Sequence, residues 1–243
     1  MNNQTIEKLR SMRLSAMADM HSQLMTSNQQ KDMTIDEYLA ILVDHEYESR
    51  TNQKIRRLRK NARFKQQAHI DDINYGASRN LDKNAFKRLS TLTFMSNSEN
   101  IIITGPSGVG KSYIAQALGN HACLHGKKTI YSITSRLLTK LKLAKADGTY
   151  IKELAKLEKT ELIILDDFGL QAFNKIDREI LLDIIEDRFG LQSMIIASQV
   201  PVSVWYDLIG EGTIADAILD RVVNSSHRID LKGDSLRKGI IKE

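Results

Sequence analysis

The segment Gly105-Pro106-Ser107-Gly108-Val109-Gly110-Lys111-Ser112 carries glycines, a lysine and a hydroxyl at the spacing G-x-x-x-x-G-K-[ST]. It follows the apolar run Ile101-Ile102-Ile103 and leads into Tyr113-Ile114-Ala115-Gln116-Ala117-Leu118, which reads as a helix. A buried strand, a glycine turn and a helix in that order aim backbone N–H groups and a helix N-terminus at one place. Both favour an anion. Gly105, Gly108 and Gly110 permit a close approach that side chains would obstruct. Lys111 is placed to reach the β- and γ-phosphates of a nucleoside triphosphate, and the Ser112 hydroxyl to ligate Mg²⁺. The expected nucleotide contacts are Gly105, Pro106, Ser107, Gly108, Val109, Gly110, Lys111, Ser112 and Tyr113.

About 55 residues downstream, Leu162-Ile163-Ile164-Leu165 ends in Asp166-Asp167. Four apolar residues followed by two carboxylates describe a buried strand that delivers acids to its carboxyl end, where open α/β sheets bind ligands. Asp166 is expected to hold the Mg²⁺ that bridges the phosphates, and Asp167 to orient or deprotonate the attacking water.

The elements that must position these groups alternate. Strands are expected at 101–104, 128–132, 161–165, 194–198 and 227–231, separated by the helix after the glycine loop and by helical segments at 134–158, 175–189 and 213–223. The 134–158 stretch should split near Asp147-Gly148. Strands joined by crossover helices imply a parallel sheet flanked by helices. Upstream, residues 1–70 read as a small helical domain, with Ile6, Leu9, Met17, Met20 and Leu24 at helical spacing and a break at Ser27-Asn28. Thr34 and Glu37 form a capping box that opens a long helix. Its expected core contacts are Tyr38, Leu39, Leu42 and Tyr47. Asp71 to Gly76 reads as a linker into a second domain, 71–243, that begins with one helix over 82–95.

The net charge of +5 is unevenly spread. Residues 1–70 hold twelve Lys/Arg against eight Asp/Glu, and the block 50–65 has eight bases and no acid. Arg50, Lys54, Arg56, Arg57, Arg59, Lys60 and Arg63 are therefore candidate contacts to a polyanion such as DNA. Arg136, Lys140, Lys142 and Lys145, with no acid between Ser135 and Ala146, form a second candidate surface, beside Leu137, Leu138, Leu141 and Leu143 turned inward. Cys123 is the only cysteine, which excludes an intrachain disulfide. No apolar run reaches a membrane span, and the N-terminus lacks a signal-peptide core, so a reducing cytoplasm is expected.

These features together resemble the IstB/DnaC-like group of AAA+ ATPases, and within it the IstB-type transposition helpers, over essentially the full length. "LRSMRLSAMADM" is similar to that family's opening. "NIIITGPSGVGKSYIAQALG" resembles its Walker A region and "ELIILDDFGLQAF" its Walker B region. "SMIIASQVPVSVW" resembles its sensor I segment, "AILDRVV" its arginine-finger box and "LKGDSLRKG" its sensor II end. The resemblance implies a P-loop AAA+ fold, ATP and Mg²⁺ as cofactors, and an ATP-dependent homo-oligomer. Gln199 would then contact the γ-phosphate or the water, ahead of Ser198 in that role. Arg221 would enter a neighbour's ATP site, and Arg237 would contact the phosphates in cis. It also implies duplex DNA and a cognate transposase as partners. The alternative partner is a replicative helicase on single-stranded DNA, as for DnaC. A scaffold that binds ATP without hydrolysing it is a third possibility.

Overall fold

In a computed structural model of the chain, residues 2–76 and 79–236 are described. The molecule divides into two compact units, Met1–Arg57 and Leu58–Glu243. The division falls inside one long helix, upstream of the Asp71 region where the change of domain was expected.

The first unit is helical. It contains α1 (Asn2–Ser11), α2 (Ser15–Ser27) and most of α3 (Ile35–Ala62). Asn28 takes a left-handed conformation (φ 59°) and ends α2 at the expected break. The capping box is present: Thr34 N donates to Glu37 at 2.8 Å, and Glu37 N donates to the Thr34 hydroxyl at 3.3 Å. Leu42 is buried, but Leu39 and Tyr47 are exposed. The reason is geometric. Ile35, Leu39, Val43 and Tyr47 recur every four residues and share one face, which turns outward, while Leu42 and Glu46 point to the core. Glu46 accepts from the Met17 amide and from Arg50.

The second unit is a five-stranded parallel sheet in the order β2-β3-β4-β1-β5. Its strands are β1 (Asn100–Thr104), β2 (Thr129–Ile133), β3 (Leu162–Phe168), β4 (Ser193–Ser198) and β5 (Ser226–Asp230). The helices are α4 (Lys83–Ser90), α5 (Thr93–Ser96), α6 (Lys111–Leu124), α7 (Thr134–Ala146), α8 (Tyr150–Glu158), α9 (Lys175–Glu186), α10 (Trp205–Ile209) and α11 (Gly212–Val223). The central strands β1, β3 and β4 are covered on both faces, which is why they read as unbroken apolar runs. One core lies between the sheet and α4 and α6, the other between the sheet and α7, α9 and α11. Each fully buried Ile or Leu contributes about 1.5–3 kcal/mol of transfer free energy.

Three expectations change. The 82–95 helix is two helices, because Leu92 sits at φ 60° and breaks the ladder while still burying its side chain. The 71–76 stretch is no free linker, since Ala68 and Ile73 join the core beside α6. Leu143 is exposed, because α7 buries the face that carries Thr134, Leu137, Leu138, Leu141 and Ala144. Cys123 is fully buried, and burial pushes its thiol above the usual range, so it serves packing.

Helix α9 carries a capping box that its sequence does not advertise: the Asn174 side chain accepts from Asp177 N, and Asp177 accepts from Asn174 N. Asn174→Ala is expected to cost about 1 kcal/mol, read as a lower urea midpoint with an unchanged slope. An unmoved midpoint would contradict that role.

Candidate functional site

The carboxyl ends of β1, β3 and β4 meet at one edge of the sheet because the strands are parallel and β4 lies between the other two. The glycine loop leaves β1 and enters α6, whose first residues are Lys111 and Ser112. Lys111 Nζ donates to the carbonyls of Gly105 (2.8 Å) and Pro106 (2.7 Å), so its ammonium lies across the mouth of the loop. Gly105, Gly108 and Gly110 all have positive φ.

Asp166 is almost fully buried and is held at both carboxylate oxygens and its backbone carbonyl. Ser112 Oγ donates to its Oδ1 at 2.9 Å, and the Asp167 amide donates to the same oxygen at 3.0 Å. The Tyr131 hydroxyl donates to Oδ2 at 2.7 Å, and Thr134 Oγ1 to the backbone carbonyl at 2.9 Å. A buried carboxylate is tolerable only with such donors. Burial, followed by the hydrogen bond to Asp166, pushes the Tyr131 phenol above its ordinary range and keeps it a donor. Tyr131 and Thr134 were missed in the sequence, where nothing distinguishes them from other residues of β2 and the α7 start.

Asp167 takes a left-handed conformation (φ 54°), strain of about 1–3 kcal/mol for a residue with a Cβ. The β3–β4 register shifts between Leu165 and Phe168 at this point. The result is that Asp167, Lys111, Ser112 and Gln199 line one cavity of about 230 Å³ with Ser107, Gly108, Gly110 and Tyr113, while Gly105, Pro106 and Val109 are not among its lining residues. Ser198 does not join them. Its hydroxyl donates to the Phe168 carbonyl (2.7 Å) and accepts from Val200 N (3.0 Å).

The chain after β5 lies on the glycine loop. Leu231 N donates to Thr104 O, and Leu236 N donates to Gly108 O. A Cβ on Gly108 would sit 2.0 Å from Ser235 Oγ. The expected sensor Arg237 comes directly after but lies outside the described residues.

Arg221 is elsewhere. It lines a cavity of about 370 Å³ with Asn97–Asn100, Phe189 and Gln192, at the amino ends of the strands. Its guanidinium pairs with Glu186 (3.2 Å), donates to Ala217 O and lies 5.9 Å from the Phe189 ring centroid. A five-residue strand, roughly 16 Å long, separates this end from the glycine loop.

The two basic segments converge in part. Lys60, Arg63 and Lys65 share a groove of about 700 Å³ along the edge strand β2 with Arg136, Lys140 and Lys156. Glu153 of α8 accepts from both Lys140 and Lys156, and these hydrogen bonds hold its carboxyl down at about 2. Lys142 pairs with Asp177 (2.6 Å), and Lys145 lies 3.8 Å from Glu179 and over the Tyr150 ring. The acids facing α7 thus come from α8 and α9, out of sight of its own sequence. Arg59 lies in a smaller cavity near Lys60 and Arg63. Arg50 is bound to Glu46 and to the Arg13 carbonyl within the first unit. Lys54, Arg56 and Arg57 are exposed on α3.

A parallel sheet of this order, with a phosphate loop after β1 and paired aspartates at the carboxyl end of β3, defines a P-loop ATPase of the AAA+ group. The chain belongs to the IstB-like ATP binding protein family, whose model matches residues 7–242. It is 41% identical over 234 residues to a Sinorhizobium fredii protein named for ATP binding in an insertion sequence, with 96% of each chain covered. A Mycobacterium tuberculosis protein, also named for ATP binding in an insertion sequence, is 30% identical over 230 residues, covering 94% of this chain and 92% of that one. Among solved structures, the DnaC helicase loader superposes with a TM-score of 0.54 at 22% identity, covering 68% of this chain and 97% of that one. The replication initiator DnaA, bound to AMPPCP and single-stranded DNA, gives 0.59 at 19% identity over 74% of this chain and 54% of that one. Both likenesses establish the fold. Among the described residues no helix is long and apolar enough to cross a membrane.

Gly108→Ala should push the Ser235–Leu236 stretch off the loop and strain a residue at φ 84°. The expected outcome is about a tenfold loss of ATP affinity, ~1.4 kcal/mol, by calorimetric titration. Unchanged affinity would show that the contact has no part in nucleotide binding.

Proposed function

We propose that this protein is an ATP- and Mg²⁺-dependent regulator that assembles on duplex DNA, assists a partner transposase and hydrolyses ATP to ADP. The observation that carries the DNA reading is the β2-edge groove, in which six basic side chains face a single acid, Glu153, beside a complete phosphate-loop site in the same unit. Relatives named for insertion sequences support a transposase rather than a helicase as partner. Phe64, the aromatic residue of the basic block, is half-buried against the core beside Gly119, which limits stacking on single strands and favours duplex. Strand transfer would be the transposase's chemistry. The cytoplasm is the proposed compartment.

In this account Lys111 and the loop amides neutralise the β- and γ-phosphates. Ser112 and Asp166 each offer Mg²⁺ one hard oxygen. These two oxygens are what the chain would contribute to the ion, which would supply positive charge beside the phosphates. Asp167, held in its strained conformation, orients the attacking water, and Gln199 steadies it or the γ-phosphate. Arg237 would add a contact in cis. Arg221 faces away from its own loop and therefore serves a neighbour, where its charge offsets the negative charge that develops on the transferred phosphoryl group.

Asp167→Asn and Arg221→Ala should each keep ATP binding and lose most turnover. Mixed in equal amounts they should regain part of it, because an intact loop can then face an intact arginine. A mixture as inactive as its components, in a steady-state ATPase assay, would remove Arg221 from a role in trans.

For DNA, the double variant Arg63→Glu, Arg136→Glu should weaken duplex binding at least about tenfold. It should also reduce the slope of log affinity against log salt by about 1.8, for two lost phosphate contacts. Fluorescence anisotropy at several salt concentrations reads both. A slope equal to wild type would place DNA elsewhere on the surface.

A further inference from the structure

Among the described residues Arg79 is one of two buried arginines, and nothing in its sequence context points to a role. It is 5% exposed. Its Nη1 donates to Asn74 O (2.6 Å) and its Nη2 to Val109 O (2.8 Å), while Nε has no hydrogen-bond partner among the described residues. No carboxylate pairs with it there, and burial alone lowers its pKa from the ordinary guanidinium value. The other buried arginine among the described residues, Arg188, also has an unpartnered Nε and a pKa lowered by burial, but it lies at the opposite end of a helix. It donates to three carbonyls, those of Leu157, Thr160 and Ser193, and the first two cluster at the C-terminal, negative end of α8.

Arg79 sits at the wrong end of a helix for a cation. Val109 and Gly110 immediately precede α6, and a Cβ on Gly110 (φ 97°) would lie 2.5 Å from Arg79 Nη2. The guanidinium therefore lies against the positive end of α6 with two carbonyls and no countercharge, an arrangement that is costly by itself. The geometry also has a use. The Val109–Gly110 peptide is trans, so its carbonyl and N–H point in opposite directions. By holding the carbonyl on one side, Arg79 turns the Gly110 N–H to the other. The backbone of Arg79 ties the same corner to the chain after β5, since its carbonyl accepts from Lys232 N.

We infer that Arg79 is a nucleotide-linked positioning residue: it orients the Val109–Gly110 peptide toward the diphosphate moiety of ADP or ATP, whose charge in turn balances its own. This rests on reading Gly105–Ser112 as the nucleotide loop. The ligand chemistry it selects is a di- or triphosphate over a monophosphate, because only the former places phosphate charge deep in the loop. Arg79 touches no reacting atom and acts through the peptide.

The test is calorimetric titration of wild type, Arg79→Met and Arg79→Lys with AMP, ADP and ATP, with thermal melts run with and without saturating ADP. Arg79→Met is expected to lose ADP and ATP affinity by about tenfold or more while AMP affinity changes by less than about twofold. The ADP-induced rise in melting temperature should shrink in parallel. Arg79→Lys keeps the charge but has one ammonium for two carbonyls, so it should fall between. If Arg79→Met does not fold, Arg79→Lys carries the comparison. Folded variants that bind ADP as wild type does would overturn the proposal. So would equal losses for AMP and ADP, which would mark Arg79 as a packing residue. Wild type that binds neither ADP nor ATP would instead sink the reading of the loop itself.

Discussion

The 2.9 Å hydrogen bond from Ser112 to Asp166 joins two residues 54 positions apart in the chain, and the rest of the second unit exists to make it possible. It requires the carboxyl ends of β1 and β3 to lie at one edge, which a parallel sheet with β4 between them provides. It requires the Asp166 carboxyl to be buried, which the donors Tyr131, Ser112 and the Asp167 amide make tolerable. It also fixes the path of the chain beyond Asp166. With that carboxylate saturated, the strand bends through the left-handed Asp167 and turns the second carboxylate into the cavity shared with Lys111 and Gln199. The strain at Asp167 is thus the local cost of turning two adjacent acids in two different directions.

The same sheet separates charges that the proposed chemistry must bring together. Lys111 stands at the carboxyl edge and Arg221 at the amino edge of one rigid sheet, and no side-chain movement spans that distance. Association between copies is the economical way to bring such an arginine to a phosphate loop. Under the proposed function, turnover would then depend on assembly, and so on a template that organises the copies. The groove along β2 offers a template site distinct from both ends of the sheet.

The phosphate loop, the aspartate pair and the strand–helix alternation were legible because each is a local pattern: glycines at fixed offsets, or an apolar run long enough for one strand. Gln199 was placed through resemblance, and the cavity accommodates it where Ser198 turns away. What stayed hidden depends on residues distant in sequence. Tyr131 and Arg79 look like ordinary members of a strand and a loop until the fold sets them against Asp166 and Val109. The lysines of α7 read as free because Glu153, Asp177 and Glu179 lie on other helices. Leu39 and Tyr47 were expected inside because helical spacing identifies an apolar face but not the direction it turns. Leu92 broke an otherwise regular helix through a left-handed residue that its side chain does not announce.

The central claim is that ATP drives copies of this chain to assemble on duplex DNA. Sedimentation velocity of the protein with ATP and Mg²⁺, adding duplex or single-stranded DNA of equal length, addresses it most directly. A large, ATP-dependent species is expected on the duplex and not with single strands. Assembly confined to single strands, or duplex complexes indifferent to ATP, would contradict it.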